Sequence, residues 1–290
     1  MECVVAVDVG GTTMKGGFVA RDGTIHHFER RPTPRAEGPA RVIAAISSFV
    51  SDLSRRREGL RPLAVGLAVP GLVTPTHAVF SAAFGWRDVP ASAFTDVDLP
   101  VALGHDVRSA GEAELAYGFG GDDVLYLPIG TGIAGAVVLS GSLYGGAGGW
   151  AGQIGHIPVR PDGLACGCGQ RGCLAAYASG GAIAARYGAS SAADVVRWVS
   201  EGDARAVEVW DEAVEALALA LATYTLVLDP GGVVVGGGVS LAGDSLLVPL
   251  RARLSERLAF RPAPEVRASA LGVRAGVMGA GLLGWRAVGS

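Results

Sequence analysis

Lysine is nearly absent from this 290-residue sequence, in which Lys15 stands alone against 23 arginines. Charged residues are also scarce, at 18 % of the chain, and the formal net charge is −3. A charge balance so close to neutral argues against the broad basic surface that is typical of proteins binding nucleic acid or anionic membranes. We therefore expect neither nucleic acid nor a membrane among the partners of this protein.

Long hydrophobic runs and a secretion signal are missing as well. The longest apolar run lies within 217–228 and is broken by Thr223, Tyr224 and Thr225, so it is too short to span a bilayer. No basic segment followed by an apolar stretch opens the sequence, so we expect no signal peptide and a cytoplasmic protein. In that compartment, clustered cysteines indicate a metal site more often than disulfides.

Cysteine and histidine are rare, yet four of these nine residues lie close together. They are His156, Cys166, Cys168 and Cys173, in a glycine-rich polar loop. Three thiolates and one imidazole suit a closed tetrahedral zinc site, which would be structural because the protein fills every position. The alternative, buried apolar thiols beside an unrelated histidine, fits a polar loop poorly and better describes Cys3, a predicted core thiol in an apolar strand.

Glycine is abundant, at 45 residues, and it separates apolar strands from helices. Strands are predicted at 3–8, 63–71, 99–106 and 265–270, and helices at 39–57, 204–228, 243–258 and 275–287. Strands that alternate with helices predict mixed or parallel sheets covered by helices, which is an α/β fold.

The arrangement at the start of the chain recurs later. Residues 3–30 are predicted to form a strand, a Gly/Thr turn, a second strand, a hairpin turn and a third strand, and residues 124–146 repeat this order. The repeat spacing is far longer than that of a solenoid, so it predicts two similar domains. We expect a small lobe of residues 1–105 plus 275–290 and a large lobe of residues 106–274, which contains the zinc-binding loop 156–173.

Three glycine-rich turns follow apolar strands. The candidate nucleotide-binding residues are Asp8, Gly10, Gly11, Thr12, Thr13 and Lys15 in the first, Gly130, Thr131 and Gly132 in the second, and Gly236, Gly237 and Gly238 in the third. Glycine lets backbone N–H groups approach an anion, and threonine hydroxyls add donors. Each turn alone is equally well explained as an ordinary tight turn, but three of them favour phosphate binding. Asp8 is a candidate for holding magnesium through water, and Lys15 is either functional or an exposed turn residue.

Four features of the sequence together resemble the ROK family of bacterial sugar kinases and repressors. They are "DVGGTTMKGG", "GTGIAGA", "GQIGH" and the His–Cys–Cys–Cys spacing, and the resemblance covers residues 3–285. It implies an actin-like, hexokinase-like ATPase fold of two lobes with a cleft between them, the use of ATP, Mg2+ and Zn2+, and a homodimer or homotetramer. The family's repressors carry an N-terminal helix-turn-helix, for which we see no room here, so we expect a kinase.

The resemblance also implies roles for single residues. The family's general base, an aspartate at the end of a strand that takes the proton of the sugar's primary hydroxyl, matches Asp106. Asp106 is also expected to cap the following helix. His156 matches the zinc-bound histidine whose second ring nitrogen contacts the sugar. His105 and Gln153 fall at further sugar-binding positions.

Several of these positions depart from the family pattern. Ala83, His105 and Arg108 stand where the family has asparagine, and Gln153 and Ala175 stand where it has glutamate. Each lost charge-assisted hydrogen bond is worth roughly 1.5–3 kcal/mol, so the changes should weaken glucose binding. The sequence therefore predicts a kinase for a hexose-like sugar, an amino sugar or a sugar-like C7 cyclitol. The alternatives are an ordinary glucokinase and a non-catalytic sugar-binding regulator.

Overall fold

A computed structural model describes residues 1–56, 59–81, 83–118 and 120–289. The chain divides into two compact units, Met1–Gly118 with Arg274–Ser290 and Phe119–Val273. The predicted boundary after residue 105 therefore differs from the observed one by a helix, Asp106–Tyr117. This helix belongs to the first unit because it packs against the closing helix of the chain.

In its described residues, the first unit contains eight strands and two helices before the chain leaves it. In chain order they are β1 (Glu2–Val9), β2 (Thr13–Val19), β3 (Ile25–Pro32), α1 (Pro39–Arg55), β4 (Arg61–Val69), β5 (Leu72–Val73), β6 (His77–Ser81), β7 (Trp86–Pro90), β8 (Val101–His105) and α2 (Asp106–Tyr117). The main sheet has the order β3-β2-β1-β4-β8. Its β1, β2 and β3 are antiparallel neighbours, whereas β4 and β8 run parallel to β1. A small antiparallel sheet, β5-β6-β7, completes the unit.

The second unit repeats this sheet. Its elements are β9 (Val124–Pro128), β10 (Ala136–Leu139), β11 (Ser142–Tyr144), α3 (Ala175–Ala178), α4 (Gly180–Tyr187), α5 (Ala192–Ser200), α6 (Ala204–Leu228), β12 (Gly232–Gly236), α7 (Asp244–Arg257) and β13 (Glu265–Ala268). The sheet order is β11-β10-β9-β12-β13, with β10 antiparallel to β9 and β11, and with β12 and β13 parallel to β9. The recurrence predicted from the sequence is therefore present as one topology built twice.

The chain returns to the first unit in its last helix, α8 (Ala275–Val288). Successive side chains of β1 point to opposite faces of the sheet, and both faces are covered. Val5 and Val7 pack in the core on the α1 side, whereas Val4 and Ala6 pack with residues of α8. A Cβ at Gly66 in β4 would lie 1.8 Å from a carbonyl oxygen of α8, so glycine is required for this close approach.

The core of the second unit forms around α6. Trp210, Leu217 and Leu221 of this helix are buried in one cluster with Leu125 of β9 and Val233 of β12. α6 begins at Ala204, where the side chain of the preceding aspartate accepts a hydrogen bond from the N–H of Ala206. None of the helices in the described part of the chain combines the length and the apolarity needed to span a bilayer.

Candidate functional site

The turn between β1 and β2 carries one ion pair. Asp8 and Lys15 are cross-strand partners, and Lys15 Nζ donates a hydrogen bond to Asp8 Oδ2 at 3.1 Å. The Asp8 carboxylate is largely buried, and 26 % of the Lys15 side chain is exposed. Lys15 is thus a partly buried partner of Asp8 within a strand, and the alternative of an exposed turn lysine does not hold.

Backbone hydrogen bonds fix the shape of this turn. The Gly10 N–H donates to the Thr13 carbonyl at 3.2 Å, and the Thr33 hydroxyl donates to the Gly10 carbonyl at 2.8 Å. Gly11 has open space where a side chain would start, and Thr12 is exposed. The tip of the turn is therefore accessible to a ligand while its base is held rigidly.

The closing helix supports the same carboxylate, which the sequence did not reveal. A Cβ at Gly276, in the first turn of α8, would lie 2.3 Å from Asp8 Oδ2. The helix approaches the sheet closely because small residues recur every four positions, at Gly276, Ala280 and Gly284. This spacing in the sequence was the signal that could have identified Gly276 as a neighbour of the site.

The carboxyl edge of the same sheet also holds His105 and Asp106. β8 ends at His105, and α2 begins at Asp106. Asp8 and His105 pair with the adjacent residues Ala68 and Val69 of the intervening strand β4. Because neighbouring strands lie about 4.8 Å apart, the two backbones are separated by about 10 Å. One edge of one sheet thus brings two carboxylates into each other's electrostatic range.

The N-cap of α2 is His105 and not, as predicted, Asp106. His105 Nδ1 accepts a hydrogen bond from the Arg108 N–H at 3.3 Å, whereas Asp106 is the first helical residue and accepts from the Val107 N–H at 2.8 Å. Because Nδ1 is used as an acceptor, the neutral His105 ring carries its proton on Nε2. Its Nδ1 therefore does not donate to Asp106 Oδ1, although the two atoms are 3.3 Å apart.

The environment of Asp106 suits proton transfer. Burial raises the pKa of Asp106; the neighbouring Asp8 carboxylate also raises it, whereas His105 and Lys15 lower it. Burial also lowers the pKa of His105. Even so, 22 % of the Asp106 side chain is exposed, so a ligand can reach it. A reachable carboxylate with a raised pKa can accept a proton from a hydroxyl group near neutral pH.

The second and third glycine-rich turns meet in the second unit. They follow the parallel neighbours β9 and β12 and comprise Gly130, Thr131 and Gly132, and Gly236, Gly237 and Gly238. The Ile129 N–H donates to the Gly236 carbonyl at 2.9 Å, and the Val239 N–H donates to the Ile129 carbonyl at 3.0 Å. Gly237 has a φ of 76° and lies so close to Ile129 that a Cβ would fall 2.5 Å from its carbonyl oxygen. A side chain at this position is excluded.

The turn after β9 also lies at the start of a helix. Side chains at Gly130 and Gly132 would meet nothing within 4 Å, and Thr131 is exposed. α4 begins here, since the Gly180 N–H donates to the Gly130 carbonyl at 2.7 Å and Ser179 caps the helix. A glycine-rich turn beside a helix N-terminus favours an anion, so this arrangement suits a phosphate group.

The four predicted metal ligands lie together in the second unit. One ligand atom from each of His156, Cys166, Cys168 and Cys173 falls within 4.8 Å of the others. His156 Nδ1 is 3.9 Å from Cys166 Sγ, and the Sγ atoms of Cys168 and Cys173 are 3.7 Å apart. In a tetrahedral site with Zn–S bonds of about 2.3 Å, two sulfurs lie about 3.8 Å apart. The donor set and its spacing therefore fit zinc.

Local backbone geometry brings the sulfurs together. The Cys166 N–H donates to the Gln170 carbonyl at 2.8 Å, and the Gly169 N–H donates back to the Cys166 carbonyl at 3.0 Å. Next to Cys173, Gly172 has a φ of 71° and approaches a backbone carbonyl so closely that no side chain fits. Burial raises the pKa of Cys173 to about 12, so this thiol would lose its proton to solvent only when a cation binds the sulfur in its place.

The predicted sugar ligands of this unit adjoin the metal loop. His156 ends a short 3₁₀ helix, Ile154–His156, which Gln153 precedes. Its Nδ1 is the ring nitrogen beside Cys166 Sγ, which leaves Nε2 for other groups. Ala175 begins α3 two residues after Cys173, so the position where the family has a glutamate is held beside the same loop.

Comparison with known proteins identifies the family. Residues 4–286 match the ROK family model. The chain is 35 % identical to the glucokinase of Halalkalibacterium halodurans, over 96 % of this chain and 94 % of that protein. It is 31 % identical to the N-acetylmannosamine kinase of Escherichia fergusonii, over 96 % of this chain and 97 % of that protein.

The fold agrees with the sequence relationship. The crystal structure of a ROK family glucokinase from Streptomyces griseus in complex with glucose and AMPPNP superposes with a TM-score of 0.87 at 31 % identity, covering 98 % of this chain and 99 % of that one. The predicted α/β fold is thus confirmed as that of the ROK sugar kinases. On the family match, the sequence identities and the fold together, this chain belongs to the ROK family.

Proposed function

We propose that this protein is a sugar kinase that transfers the γ-phosphoryl group of ATP to the primary hydroxyl of a hexose-like substrate. Its relatives include a glucokinase and an N-acetylmannosamine kinase that match nearly the whole chain, which supports the reaction class. The observation that carries the proposal is the Asp106 carboxylate, which burial gives a raised pKa but which a ligand can still reach. This combination is what a general base for an alcohol requires.

Asp106 acts on the acceptor hydroxyl. One of its carboxylate oxygens takes the hydroxyl proton while the hydroxyl oxygen forms a bond to the γ-phosphorus. The bond from the γ-phosphorus to the bridging oxygen breaks at the same time, and ADP leaves with that electron pair. Asp106 later gives its proton to solvent. The neutral His105 ring, which caps α2, holds the start of this helix and contacts the substrate through Nε2.

The phosphates of ATP are proposed to bind the glycine-rich turns. In the first unit, the backbone N–H group of Gly11 and the hydroxyls of Thr12 and Thr13 supply donors, Gly10 shapes the turn, and Lys15 adds a positive charge. In the second unit, the donors are Thr131 and Gly132, in a turn that Gly130 closes by donating to the Gly132 carbonyl, with Gly236, Gly237 and Gly238 beside them. Mg2+ balances negative charge on the phosphates when it is bound, and Asp8 is the residue that would hold it through water.

The metal loop is proposed to position a substrate ligand. Zn2+, when bound by His156, Cys166, Cys168 and Cys173, fixes the loop and takes no part in the chemistry. His156 then offers Nε2 to a substrate hydroxyl, and the amide of Gln153, three residues earlier, offers both a donor and an acceptor.

The proposed acceptor class follows from the residues at the positions where the family binds its sugar. Ala83, His105, Gln153 and Ala175 replace the amides and carboxylates that would accept hydrogen bonds from glucose hydroxyls. We therefore propose that the acceptor is a hexose-like sugar, an amino sugar or a sugar-like C7 cyclitol that retains a primary hydroxyl.

Release of ADP across an acceptor panel tests this function. The panel contains glucose, mannose, N-acetylglucosamine, N-acetylmannosamine, 3-amino-3-deoxyglucose and a valiolone-type C7 cyclitol, with Mg2+ and ATP. We expect acceptor-dependent turnover, with glucose below the best acceptor. Efficient turnover of glucose alone would identify an ordinary glucokinase, whereas sugar binding without turnover would contradict the kinase assignment.

A further inference from the structure

Arg108, close to the proposed base, is a half-buried cation for which the described residues provide no ion-pair partner. It is the third residue of α2, two residues after Asp106. Its backbone N–H donates to His105 Nδ1, but its guanidinium forms no hydrogen bond or ion pair with any residue that the structure describes. Burying a charge without a partner is unfavourable, so such a group calls for an explanation.

The position of Arg108 in the helix makes its positive charge still less favourable. The first turn of a helix is the positive end of the helix dipole, where a cation is disfavoured. Burial lowers the pKa of Arg108, and the negative charge of Asp106 opposes this effect without forming an ion pair. The folded protein therefore holds a guanidinium where both the helix and the loss of solvent act against it.

Arg41 occupies the same helical position in α1, but it is exposed to solvent and paired. It is the third residue of α1 in the same unit, its side chain is 64 % exposed, and its Nε donates to Glu37 Oε2 at 3.2 Å. Arg31 is likewise paired, with Glu29 and Asp52. Arg108 differs from both arginines in pairing and from Arg41 in burial, so neither a surface position nor an ion pair accounts for it.

We infer that Arg108 determines substrate specificity by binding an anionic group on the acceptor, so that the preferred acceptor is an acidic hexose derivative. A guanidinium donates two parallel hydrogen bonds to a carboxylate or phosphate, which a neutral sugar cannot match. Arg108 lies in the first turn of the helix that begins at Asp106, and the charge of Asp106 acts on its guanidinium, so the inference places the anion on the same acceptor as the hydroxyl at Asp106. The inference rests on the proposed function, since it places that hydroxyl at Asp106.

The phosphates of ATP are the second source of an anion for Arg108. The glycine-rich turns and Lys15 already supply donors for those phosphates, which favours the acceptor as the source. The two sources predict different kinetics. An acceptor anion makes the effect of Arg108 depend on the acceptor, whereas a donor phosphate makes it equal for all acceptors.

The test compares acidic and neutral acceptors that have a free primary hydroxyl. The acidic probes are gluconate, N-acetylmuramic acid and glucose 1-phosphate, and the neutral probes are glucose and N-acetylmannosamine. We expect the wild type to prefer an acidic probe. Arg108→Gln should lower kcat/KM for that probe about 10- to 150-fold, the range of a charge-assisted hydrogen bond, and change the neutral probes less than about 3-fold. Arg108→Lys should fall between, because an ammonium lacks the fork.

Arg41→Gln is the matched control, since it removes the same charge from the same helical position and should change neither class. An equal loss for acidic and neutral probes in Arg108→Gln would assign the residue to ATP and overturn the inference. So would a wild type that prefers neutral acceptors and is indifferent to the substitution.

A thermal shift assay keeps the outcome separate from the proposed function. If no probe supports ADP release, the kinase assignment fails, but binding still decides the role of Arg108. Stabilisation of the wild type by an acidic probe, absent from Arg108→Gln and present in Arg41→Gln, supports the inference. No difference between the variants overturns it.

Discussion

The two units carry the same five-stranded sheet but place different chemistry at its carboxyl edge. In the first unit this edge holds the Asp8–Lys15 ion pair and the Asp106 carboxylate. In the second, the corresponding turn, Gly130, Thr131 and Gly132, contains no ionisable side chain, and the ionisable ligands are the cysteines and histidine of the metal loop. The shared topology therefore determines where a ligand can bind, and the side chains at that edge determine which ligand binds.

The comparison extends to how each edge is supported. In the first unit α8 returns from the end of the chain and brings Gly276 against Asp8. In the second unit the turn after β9 is held to the turn after β12 and to the start of α4 by backbone hydrogen bonds. The edge with the Asp8 carboxylate is thus supported by close packing around that side chain, whereas the glycine-rich edge of the second unit is supported by backbone hydrogen bonds.

Removing the base should give the largest difference between the units. Asp106→Asn keeps the side-chain shape but cannot accept the proton, so kcat/KM should fall about 100- to 10,000-fold. Because burial raises the pKa of Asp106, the loss of its charge should leave Tm equal or higher. Asp244→Asn is the matched control, since Asp244 is also the first residue of a helix, α7, but is exposed. A lowered Tm in Asp106→Asn would point to a structural role instead.

The cysteines of the two units should respond in opposite ways. Cys173→Ala removes a metal ligand, so the purified protein should lose bound zinc and more than about 4 kcal/mol of unfolding free energy, the range of a lost metal site. Cys3→Ala, at a buried position in β1, should keep its zinc and lose only about 1–2 kcal/mol. Metal analysis and denaturant unfolding check both; full zinc content in Cys173→Ala would contradict the assigned ligand set.

The charged and neutral turns should contribute unequally to nucleotide binding. Lys15→Gln removes a charge and should raise the KM for ATP about 10- to 150-fold, the range of a charge-assisted hydrogen bond. Thr131→Ala removes a neutral hydroxyl from the corresponding turn and should raise it only about 2- to 10-fold. Steady-state kinetics with varied ATP decide the order, and a larger effect at Thr131 would reverse the comparison.

The smallest expected effect is a pH dependence confined to the first unit. Since the pKa of Asp106 is raised, kcat/KM should increase with pH from the ordinary aspartate range upwards, as the carboxyl loses its proton. The folded state binds this proton more tightly than the unfolded state, so the same ionisation should lower stability as pH rises. Both trends should vanish in Asp106→Asn; if the stability trend persists, it belongs to other groups.

Long periodic segments and dense motifs were predictable from the sequence. The helix predicted at 204–228 coincides with α6, and the four metal ligands lie together. Short elements were not: the two-residue strand β5 and the four-residue helix α3 have too few residues to show a period. Their conformation comes from tertiary packing, which local sequence does not record.

Features of the site that depend on neighbours distant in sequence could not be predicted either. Either His105 or Asp106 could cap α2, and only the folded backbone shows that His105 does. The membership of α2 in the first unit depends on its contact with α8, which is more than 150 residues away. That the described residues provide no partner for Arg108 is likewise visible only from the positions of their acidic side chains.

The ion pair of Lys15 with Asp8 has a practical consequence for labelling the protein. With one lysine in the chain, an amine-reactive fluorophore can modify a single side chain besides the terminal amine. The amine of Lys15 is partly exposed and held by a carboxylate, so its acylation rate measures how often that contact opens. A nucleotide that covers the turn would slow this reaction. The acylation rate of the single lysine would therefore report how much of the protein has nucleotide bound.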